Sequence, residues 1–484
     1  MKPLQNPAAA SRAKILALAK RDKEKFAGVL AENGYFWDVN KLRDRFKYDT
    51  VFSPLEIKRR WGEFFKKSEA RGPVPVDFYL HIPFCVSRCE YCLYFRSKFP
   101  SAEKTEAYIN GLVRQLEYFA PVFRGREFRH LYIGGGTPSV LGDKQLGKLL
   151  SAVFRNFSFS PGGQRTMEAN PHTSRASCFG LLRGFGFNRV SFGVQSLNPA
   201  VLRANKRNYQ SEDRIVEALK LAGAAGFEDI NADLIAGLAG DTAAGFLYSF
   251  ARLAKLAPNN IVVYGLMPPG GEYLGSLLKM TPRDYFMSHY PGLIGKILPP
   301  LSKLADKYGY VADSFSPSRW HWGFRHKNHT GVDMLGGYGG EYSSCIFGLG
   351  HGARSRIHDN LEYRETIDLD KPAACSAIFE GRLSDRREEM IRFIISRLDR
   401  GFSLPAREFF DIFGVSIEGG FPYAIAALRS LRRLKETPEG FECAFKRPAE
   451  KYVSGLFFFS ELNAVGLGDV FPPGKVGNIK NGQK

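Results

Sequence analysis

Six short apolar segments alternate with amphipathic helical patterns between residues 76 and 266. This alternation predicts a parallel sheet with helical crossovers, because parallel neighbours cannot be joined by a tight turn. The predicted strands are Val76–Ile82, His130–Gly134, Thr166–Ala169, Arg189–Gly193, Asp229–Leu234 and Asn260–Leu266. The predicted helices are Lys104–Phe119, Lys144–Phe154, Ser174–Phe185, Pro199–Ala204 and Ser211–Ala225. Such a sheet is either open or rolled into a barrel, and in both forms the chemistry belongs at the carboxyl ends of the strands.

The chain has 484 residues and a basic balance, with 68 lysine and arginine residues against 49 aspartate and glutamate residues. The formal charge of +19 favours an anionic partner, and it is equally compatible with an ordinary basic surface. An apolar fraction of 44% excludes wholesale disorder. No apolar run approaches the ~20 residues of a membrane span, and the first residues lack the apolar segment of a signal peptide. We therefore expect a cytoplasmic protein.

Three of the seven cysteines lie within eight residues, directly after the first predicted strand: Cys85, Cys89 and Cys92, in the spacing C-x3-C-x2-C. Three thiolates on one short loop can bind three irons of a [4Fe–4S] cluster, which leaves the fourth iron open for a substrate or cofactor. Zinc is the competing interpretation, although structural zinc sites use four ligands and no second cysteine pair lies nearby. The remaining cysteines are interpreted as buried thiols: Cys178, Cys345, Cys375 and Cys443.

This spacing, with Tyr91 before the last cysteine, resembles the radical S-adenosylmethionine (SAM) superfamily. The segment Tyr79-Leu-His-Ile-Pro-Phe-Cys85 is similar to its HemN-like branch, which contains oxygen-independent coproporphyrinogen oxidase. Further motifs of that branch follow in order: Gly134-Gly-Gly-Thr-Pro138, Glu168-Ala-Asn-Pro171, Asn188-Arg-Val-Ser-Phe-Gly-Val-Gln195-Ser, Arg207, Asn231-Ala-Asp233-Leu-Ile-Ala-Gly-Leu and Leu349–Ser355. The resemblance extends from about residue 76 to 357 and implies a partial (β/α)6 radical SAM barrel.

The flanking segments complete the predicted organisation. We expect a basic helical extension, the barrel, a barrel extension and a HemN-like C-terminal module, at residues 1–73, 74–300, 301–365 and 366–484. The basic helical extension, residues 1–73, contains an amphipathic helical pattern at Ala8–Asn33. In the C-terminal module, helices at Glu388–Leu398 and Ala424–Leu434 precede a hairpin predicted at Glu439–Phe445 and Tyr452–Phe458. Helices followed by a small wing are typical of a winged-helix-like module.

The resemblance implies a [4Fe–4S] cluster and one or two SAM molecules as cofactors. The cluster ligands would be Cys85, Cys89 and Cys92, and the catalytic residues beside the cluster would be Tyr79 and Tyr91. SAM would be bound by residues that follow the strands: Gly134, Gly135, Gly136, Thr137, Glu168, Gln195, Arg207, Asp233 and Ile235.

Charge and size make these implied roles reasonable. The glycines would let main-chain groups approach the methionine amine, Glu168 would pair with the ammonium, and Arg207 would bind the carboxylate. The ribose and adenine would contact Gln195, Asp233 and Ile235. Each residue also has a structural alternative, since the glycines can form a simple turn, an acid can cap a helix, and Arg207 can belong to a solvated face. His81 is interpreted as a packed residue rather than an iron ligand.

Two departures from the family pattern bear on the reaction. The porphyrinogen oxidases carry a further cysteine just after the triplet, where this chain has Leu93-Tyr94-Phe95. The haem chaperones carry a His-Asn-x-x-Tyr-Trp motif, which the residues around Asn328 and His329 do not match. We therefore expect methyl or methylene transfer to an aromatic, quinone or tetrapyrrole-like substrate. The alternatives are an oxygen-independent coproporphyrinogen III dehydrogenase of haem biosynthesis and a non-catalytic haem chaperone.

The remaining sequence features concern partners. Radical SAM chemistry implies a reduced flavodoxin or ferredoxin-type electron donor, and the basic charge leaves peripheral membrane contact open. A nucleic-acid partner is not favoured, because aromatic-rich RNA-stacking motifs are absent. The aromatic and histidine-rich segment from Trp320 to His329 is either a loop packed against the barrel or a lid that contacts the substrate.

Overall fold

The computed structural model describes residues 47–68, 74–94, 97–267, 273–281, 284–285, 289–316, 321–329, 345–369, 377–400, 403–430 and 432–443. The predicted helix Ala8–Asn33 and the predicted strand Tyr452–Phe458 lie outside these residues. The chain divides into two compact units, and the larger one comprises Thr50–Ile357 and Leu361–Gly381. No helix of the described residues is both long and apolar enough to cross a bilayer.

The larger unit contains a sheet of thirteen strands within the described residues. In chain order, the described strands of both units are β1 (Thr50–Phe52), β2 (Val76–Ile82), β3 (Phe84–Cys85), β4 (Ser97–Lys98), β5 (Glu127–Phe128), β6 (Leu131–Gly135), β7 (Ser158–Phe159), β8 (Arg165–Ala169), β9 (Arg189–Gln195), β10 (Asp229–Ala236), β11 (Asn260–Gly265), β12 (Tyr310–Ser316), β13 (His321–His326), β14 (Cys345–Leu349), β15 (Arg354–Ile357), β16 (Leu361–Thr366), β17 (Ile378–Leu383), β18 (Ser403–Pro405), β19 (Leu434–Thr437) and β20 (Gly440–Cys443). The order in the large sheet is β1-β17-β16-β15-β14-β2-β6-β8-β9-β10-β11-β13-β12.

The centre of this sheet is parallel, as the sequence predicts. Strands β2, β6, β8, β9, β10 and β11 are successive parallel neighbours. Helices lie in the crossovers between them: Ala102–Phe119, Asp143–Asn156, Ala176–Gly184, Pro199–Ala204, Glu212–Ala224 and Ala243–Lys255. Each predicted strand and helix of this region is present with boundaries shifted by a few residues. The predicted partial (β/α)6 arrangement is confirmed.

Side chains alternate between the two faces of these strands. On β10, Ala232, Leu234 and Ala236 are buried in the hydrophobic core, whereas Asp229 and Asp233 lie on the opposite face. The register places polar residues of neighbouring strands on that same face, which we call the inner face. The apolar face packs against the crossover helices, so the polar face is left for binding.

Antiparallel strands extend the sheet at both edges. Beside β2, the parallel neighbour β14 is followed by the antiparallel strands β15 and β16. At the other edge, β13 is antiparallel to β11 and β12. The segment of aromatic and histidine residues predicted as a loop or lid is therefore largely the strand His321–His326, and Trp320 lies outside the described residues. Phe324 of this strand packs on Phe250, so apolar alternation stabilises it within the sheet.

The helix Pro54–Ser68 packs on the apolar face of the larger unit. Trp61 is fully buried, and its indole N–H donates a hydrogen bond of 2.9 Å to the Tyr363 hydroxyl. The Trp61 ring lies 5.2 Å from that of Phe123 and 5.8 Å from that of Phe347. This helix therefore contributes aromatic side chains to the same core that supports β14 and β16. The helix Tyr290–Lys307 belongs to the same unit.

The smaller unit combines helices with a three-stranded antiparallel sheet, of order β18-β20-β19. Its described helices are Arg386–Arg400, Ala406–Phe413, Ile417–Gly420 and Pro422–Ser430. The predicted helix Ala424–Leu434 ends earlier, and Leu434 begins a strand. The predicted strand Glu439–Phe445 is present as β20, and a turn at Pro438 and Gly440, whose φ is +145°, joins it to β19. Helices followed by a small sheet match the winged-helix-like pattern.

Candidate cofactor site at the strand ends

The cysteine loop begins where β3 ends at Cys85. The Thr137 hydroxyl donates a hydrogen bond to Cys85 Sγ at 3.5 Å, and the Gly136 N–H donates to the Ile82 carbonyl at 2.8 Å. A Cβ atom on Gly136 would lie 2.9 Å from Cys85 Sγ and 2.7 Å from the Phe84 carbonyl oxygen. The glycine-rich segment can therefore approach the loop this closely only because it lacks side chains.

Cys89 lies in a basic environment within the loop. Arg207 Nη1 is 3.6 Å from Cys89 Sγ, and the Tyr209 hydroxyl is 3.8 Å from it. Burial alone would raise the pKa of the Cys89 thiol, but the charge of Arg207 and hydrogen bonds from Tyr91, Arg207 and Tyr209 lower it below its ordinary value. The thiolate is the form that binds metal.

This donor set fits a [4Fe–4S] cluster. Cys85, Cys89 and Cys92 lie on one loop, where Cys85 and Cys89 are buried and Cys92 is half-buried. In the part of the chain that the structure describes, no three His, Cys, Asp or Glu side chains are grouped so as to bind a single ion. In a cluster, each thiolate binds a different iron, so three thiolates need not converge on one point.

Glu168 lies at the end of β8, beside the glycine-rich turn. Its carboxylate accepts hydrogen bonds from the Tyr132 hydroxyl at 2.8 Å and from the Gly135 N–H at 3.1 Å. Desolvation raises the pKa of Glu168 to about 7, and the negative charge of Asp233 adds to this rise, while the two hydrogen bonds oppose it. A cation would stabilise the ionised form of this carboxyl. These contacts join neighbouring strands and do not form a helix cap.

Asp233 follows a similar pattern on β10. It accepts a hydrogen bond of 2.7 Å from the Asn231 amide and one of 3.3 Å from the Ser191 hydroxyl. Desolvation raises the pKa of Asp233 to about 6, although the Asn231 bond and the charge of Arg189 oppose the rise. Two carboxyls with raised pKa values on one inner face indicate a functional site.

Arg207 is buried, so it does not belong to a solvated face. Its guanidinium donates to the Tyr91 hydroxyl at 3.2 Å, to Gln210 Oε1 at 3.1 Å and to the Gly193 carbonyl. Together with the Cys89 contact, these bonds connect the cysteine loop to the end of β9. The predicted role of Arg207 toward the SAM carboxylate stays a prediction.

The end of β9 is irregular at Gln195. This residue has a positive φ of 69°, and the register between β9 and β10 shifts beside it. The atom Gln195 Oε1 is buried and has no hydrogen-bond partner among the described residues. A buried acceptor without a partner is costly, and a hydroxyl of a bound ligand would satisfy it. This fits the predicted contact with the SAM ribose.

The remaining predicted residues lie around the loop. The Tyr79 hydroxyl is 3.0 Å from His81 Nδ1, and buried His81 fills the space that a Cβ atom of Gly135 would need. Tyr91 is buried, and Ile235 packs on the small apolar cluster that contains Cys89 and Tyr91. Ile235 and the cysteine loop therefore share one apolar cluster, which sequence spacing did not reveal.

Sequence reasoning missed several contacts to the site. Tyr209, two residues after Arg207, contacts Cys89 and receives a hydrogen bond of 3.4 Å from Asn170. Tyr132 binds Glu168 from the neighbouring strand. The alternation of β6 contained a signal for Tyr132, because its side chain must share a face with Gly134. No local pattern indicates Tyr209.

The comparisons place these elements in a family. The model of the radical SAM superfamily matches residues 79–251. The heme chaperone HemW of Lactococcus lactis is 30% identical over 288 residues, which are 58% of this chain and 69% of that protein. The chain belongs to the HemN/HemW family of radical SAM proteins. The cofactors of this family are a [4Fe–4S] cluster and SAM.

Other relatives of the HemN/HemW family match shorter regions. Oxygen-independent coproporphyrinogen III oxidase of Escherichia coli strain K12 is 34% identical over 220 residues, 45% of this chain and 48% of that protein. The chain thus spans about half the length of this curated relative. The structure of coproporphyrinogen III oxidase (HemN) from Escherichia coli is similar to this one, with a TM-score of 0.68 at 24% identity. The similar region covers 81% of this chain and 92% of that chain. The two share a fold.

Proposed function

We propose that this protein cleaves SAM reductively and directs the resulting radical at a tetrapyrrole-like substrate. One arrangement carries the proposal. Arg207 connects Cys89 to the end of β9, and the desolvated carboxyls of Glu168 and Asp233 lie on the same face. The names of the family relatives supply the substrate class. Three cluster thiolates, a carboxyl for an ammonium and an unsatisfied acceptor for a hydroxyl suit a cofactor of the charge and size of SAM.

The residues of the chain would divide the work by their chemistry. Cys85, Cys89 and Cys92 would hold the cluster, which supplies one electron for cleavage of SAM to methionine and a 5′-deoxyadenosyl radical. Ionised Glu168 would bind the ammonium of SAM. The apolar packing around Tyr91 and Ile235 would exclude water from the radical. A reduced flavodoxin or ferredoxin-type protein would donate the electron.

The reaction on the substrate has three candidates. Methyl or methylene transfer follows from the departures in sequence, since exposed Leu93 and Tyr94 stand where the oxidases carry a further cysteine. The named relatives give this transfer no support. They support oxidation of coproporphyrinogen III, the reaction in the name of the Escherichia coli relative, or haem transfer.

Anaerobic reconstitution tests whether the protein cleaves SAM. The protein is loaded with iron and sulfide, reduced with dithionite and incubated with SAM, with and without coproporphyrinogen III, before mass spectrometry. We expect 5′-deoxyadenosine in the wild type and none in Cys89→Ala. S-adenosylhomocysteine and a methylated product would identify methyl transfer, and loss of carbon dioxide would identify the oxidase reaction. Production of neither nucleoside would reject SAM cleavage.

Haem transfer without catalysis is the second candidate function. It is favoured by the heme chaperone HemW of Lactococcus lactis, of which the chain covers 69%. Titration of the reconstituted protein with haem, followed by absorbance, tests it. Stoichiometric uptake with no 5′-deoxyadenosine would favour the chaperone, and absence of uptake would exclude it.

A further inference from the structure

Two arginines lie directly opposite each other on the antiparallel strands beside the cofactor site. The register of β15 and β16 pairs Arg354 with Arg364, and Arg356 is two residues from Arg354 on the same face. Like charges directly opposite on a sheet repel each other. We call Arg354, Arg356 and Arg364 the arginine flank.

The arginine flank shares the inner face with the cofactor site. Tyr79 pairs with Gly348 of β14, and Gly348 lies against the backbone of Arg354 on β15. Two strand spacings therefore separate Tyr79 from Arg354, roughly 10 Å. Gly348 itself is buried, and a Cβ atom there would lie 2.6 Å from the Arg354 carbonyl oxygen, so β14 and β15 pack closely at this point.

The arginines differ in how their charges are compensated. Arg364 forms an ion pair with Glu380 on β17. Arg354 is exposed, and its guanidinium forms no ion pair or hydrogen bond with any residue that the structure describes. Its charge acts on the hydroxyl of Tyr94, which is also within electrostatic range of Glu168 and Asp233. Tyr94 is 69% exposed and lies within electrostatic range of both the acidic residues and Arg354.

We infer that the arginine flank, through Arg354, binds a carboxylate of the substrate. This inference rests on the proposed function and specifies its substrate as a polycarboxylic, tetrapyrrole-like molecule. An arginine fork matches a carboxylate with two parallel hydrogen bonds, and Arg354 has no carboxylate partner among the described residues. A carboxylate held there fixes the substrate at about two strand spacings from Tyr79. The substrate ring would then lie next to exposed Tyr94.

Binding of coproporphyrin III and of its uncharged tetramethyl ester tests this inference. Fluorescence titrations compare the wild type, Arg354→Gln and Arg354→Lys in the reconstituted full chain. We expect Arg354→Gln to weaken binding of coproporphyrin III about tenfold, because it removes the charged fork, and Arg354→Lys to weaken it less. Affinity for the ester should be equal in all three proteins. The matched control is Arg155→Gln, which removes an exposed arginine paired with Glu117 on the helical layer.

The outcomes distinguish the inference from the proposed function. Equal affinity of the wild type and Arg354→Gln for coproporphyrin III would overturn the carboxylate site, as would an equal loss in Arg155→Gln or for the ester. If the wild type produces 5′-deoxyadenosine in the same preparation, only the carboxylate site fails. If the wild type does not cleave SAM but Arg354→Gln shows the selective loss, the proposed function fails and the carboxylate site stands. Thermal unfolding of each variant shows that it is folded.

Discussion

The inner face of the large sheet has an acidic part and a basic part. On the parallel strands β8 and β10, Glu168 and Asp233 are held by hydrogen bonds from neighbouring strands. On the antiparallel strands β15 and β16, Arg354 and Arg364 oppose each other. The difference shows that one continuous sheet can present a carboxyl for a cationic group and arginines for an anionic group on the same face.

Topology explains this division. Parallel strands bring their carboxyl ends to one edge, so residues distant in sequence meet there. Antiparallel strands instead bring side chains into direct cross-strand pairs. If the two parts bind different groups, substitutions in the acidic part should weaken SAM binding more than binding of the tetrapyrrole.

Cleavage of SAM at the acidic part requires the cluster that the cysteine loop would hold. Cys89→Ala should lower formation of 5′-deoxyadenosine at least a thousandfold, because a cluster ligand is lost. Iron content and nucleoside yield measure the effect. Cys178→Ala removes a buried thiol from the helix Ala176–Gly184 and is the matched control, for which we expect normal iron content. Full iron content in Cys89→Ala would contradict its role as a ligand.

Glu168→Gln separates the two parts of the face. It should weaken SAM binding about ten- to a hundredfold, since a charge-assisted hydrogen bond to the ammonium becomes a neutral one. Equilibrium dialysis with labelled SAM measures this loss, and Glu117→Gln on the helical layer is the control. If Glu168→Gln lost more affinity for coproporphyrin III than for SAM, the assignment of different ligand groups to the acidic and basic parts would be wrong.

Gly135→Ala tests the close packing beside Glu168. Gly135 has a φ of +115°, and a Cβ atom there would lie 2.6 Å from His81 Nε2. The substitution should lower the free energy of unfolding by about 2 kcal/mol. Urea denaturation measures it against Gly162→Ala, where a Cβ atom meets nothing within 4 Å. Equal stability of the two variants would show that the turn relaxes freely.

The smallest expected effect is a pH dependence. Because desolvation raises the pKa of Glu168 to about 7, the carboxyl takes up a proton as the pH falls from 7.5 to 6 and loses its attraction for an ammonium. SAM affinity should fall a few-fold over this window. Asp233, with a pKa of about 6, titrates at its lower end, so Asp233→Asn is measured alongside. An undiminished slope in Glu168→Gln would assign the effect to another group.

The sequence predicted the parallel strands well because their signal is local. Apolar residues recur along each strand and helix, and the cysteine spacing lies on a single loop. Contacts across strands were not predictable in this way. The Arg354–Arg364 pair depends on the register of β15 and β16, and the Arg207–Cys89 contact joins residues 118 positions apart. The pairing of β20 with β19 was also not predicted, because it depends on the turn at Pro438 and Gly440 rather than on an apolar pattern.

The burial of Trp61 limits how far the chain can be shortened from its first residue. A chain that begins at residue 74 would lack the indole that covers Phe123 and Phe347 and that bonds the Tyr363 hydroxyl. The uncovered rings lie behind β14 and β16, so the truncated protein would expose a sticky aromatic surface and self-associate. The helix Pro54–Ser68 therefore protects the barrel from self-association by covering its aromatic core. A recombinant chain should retain this helix.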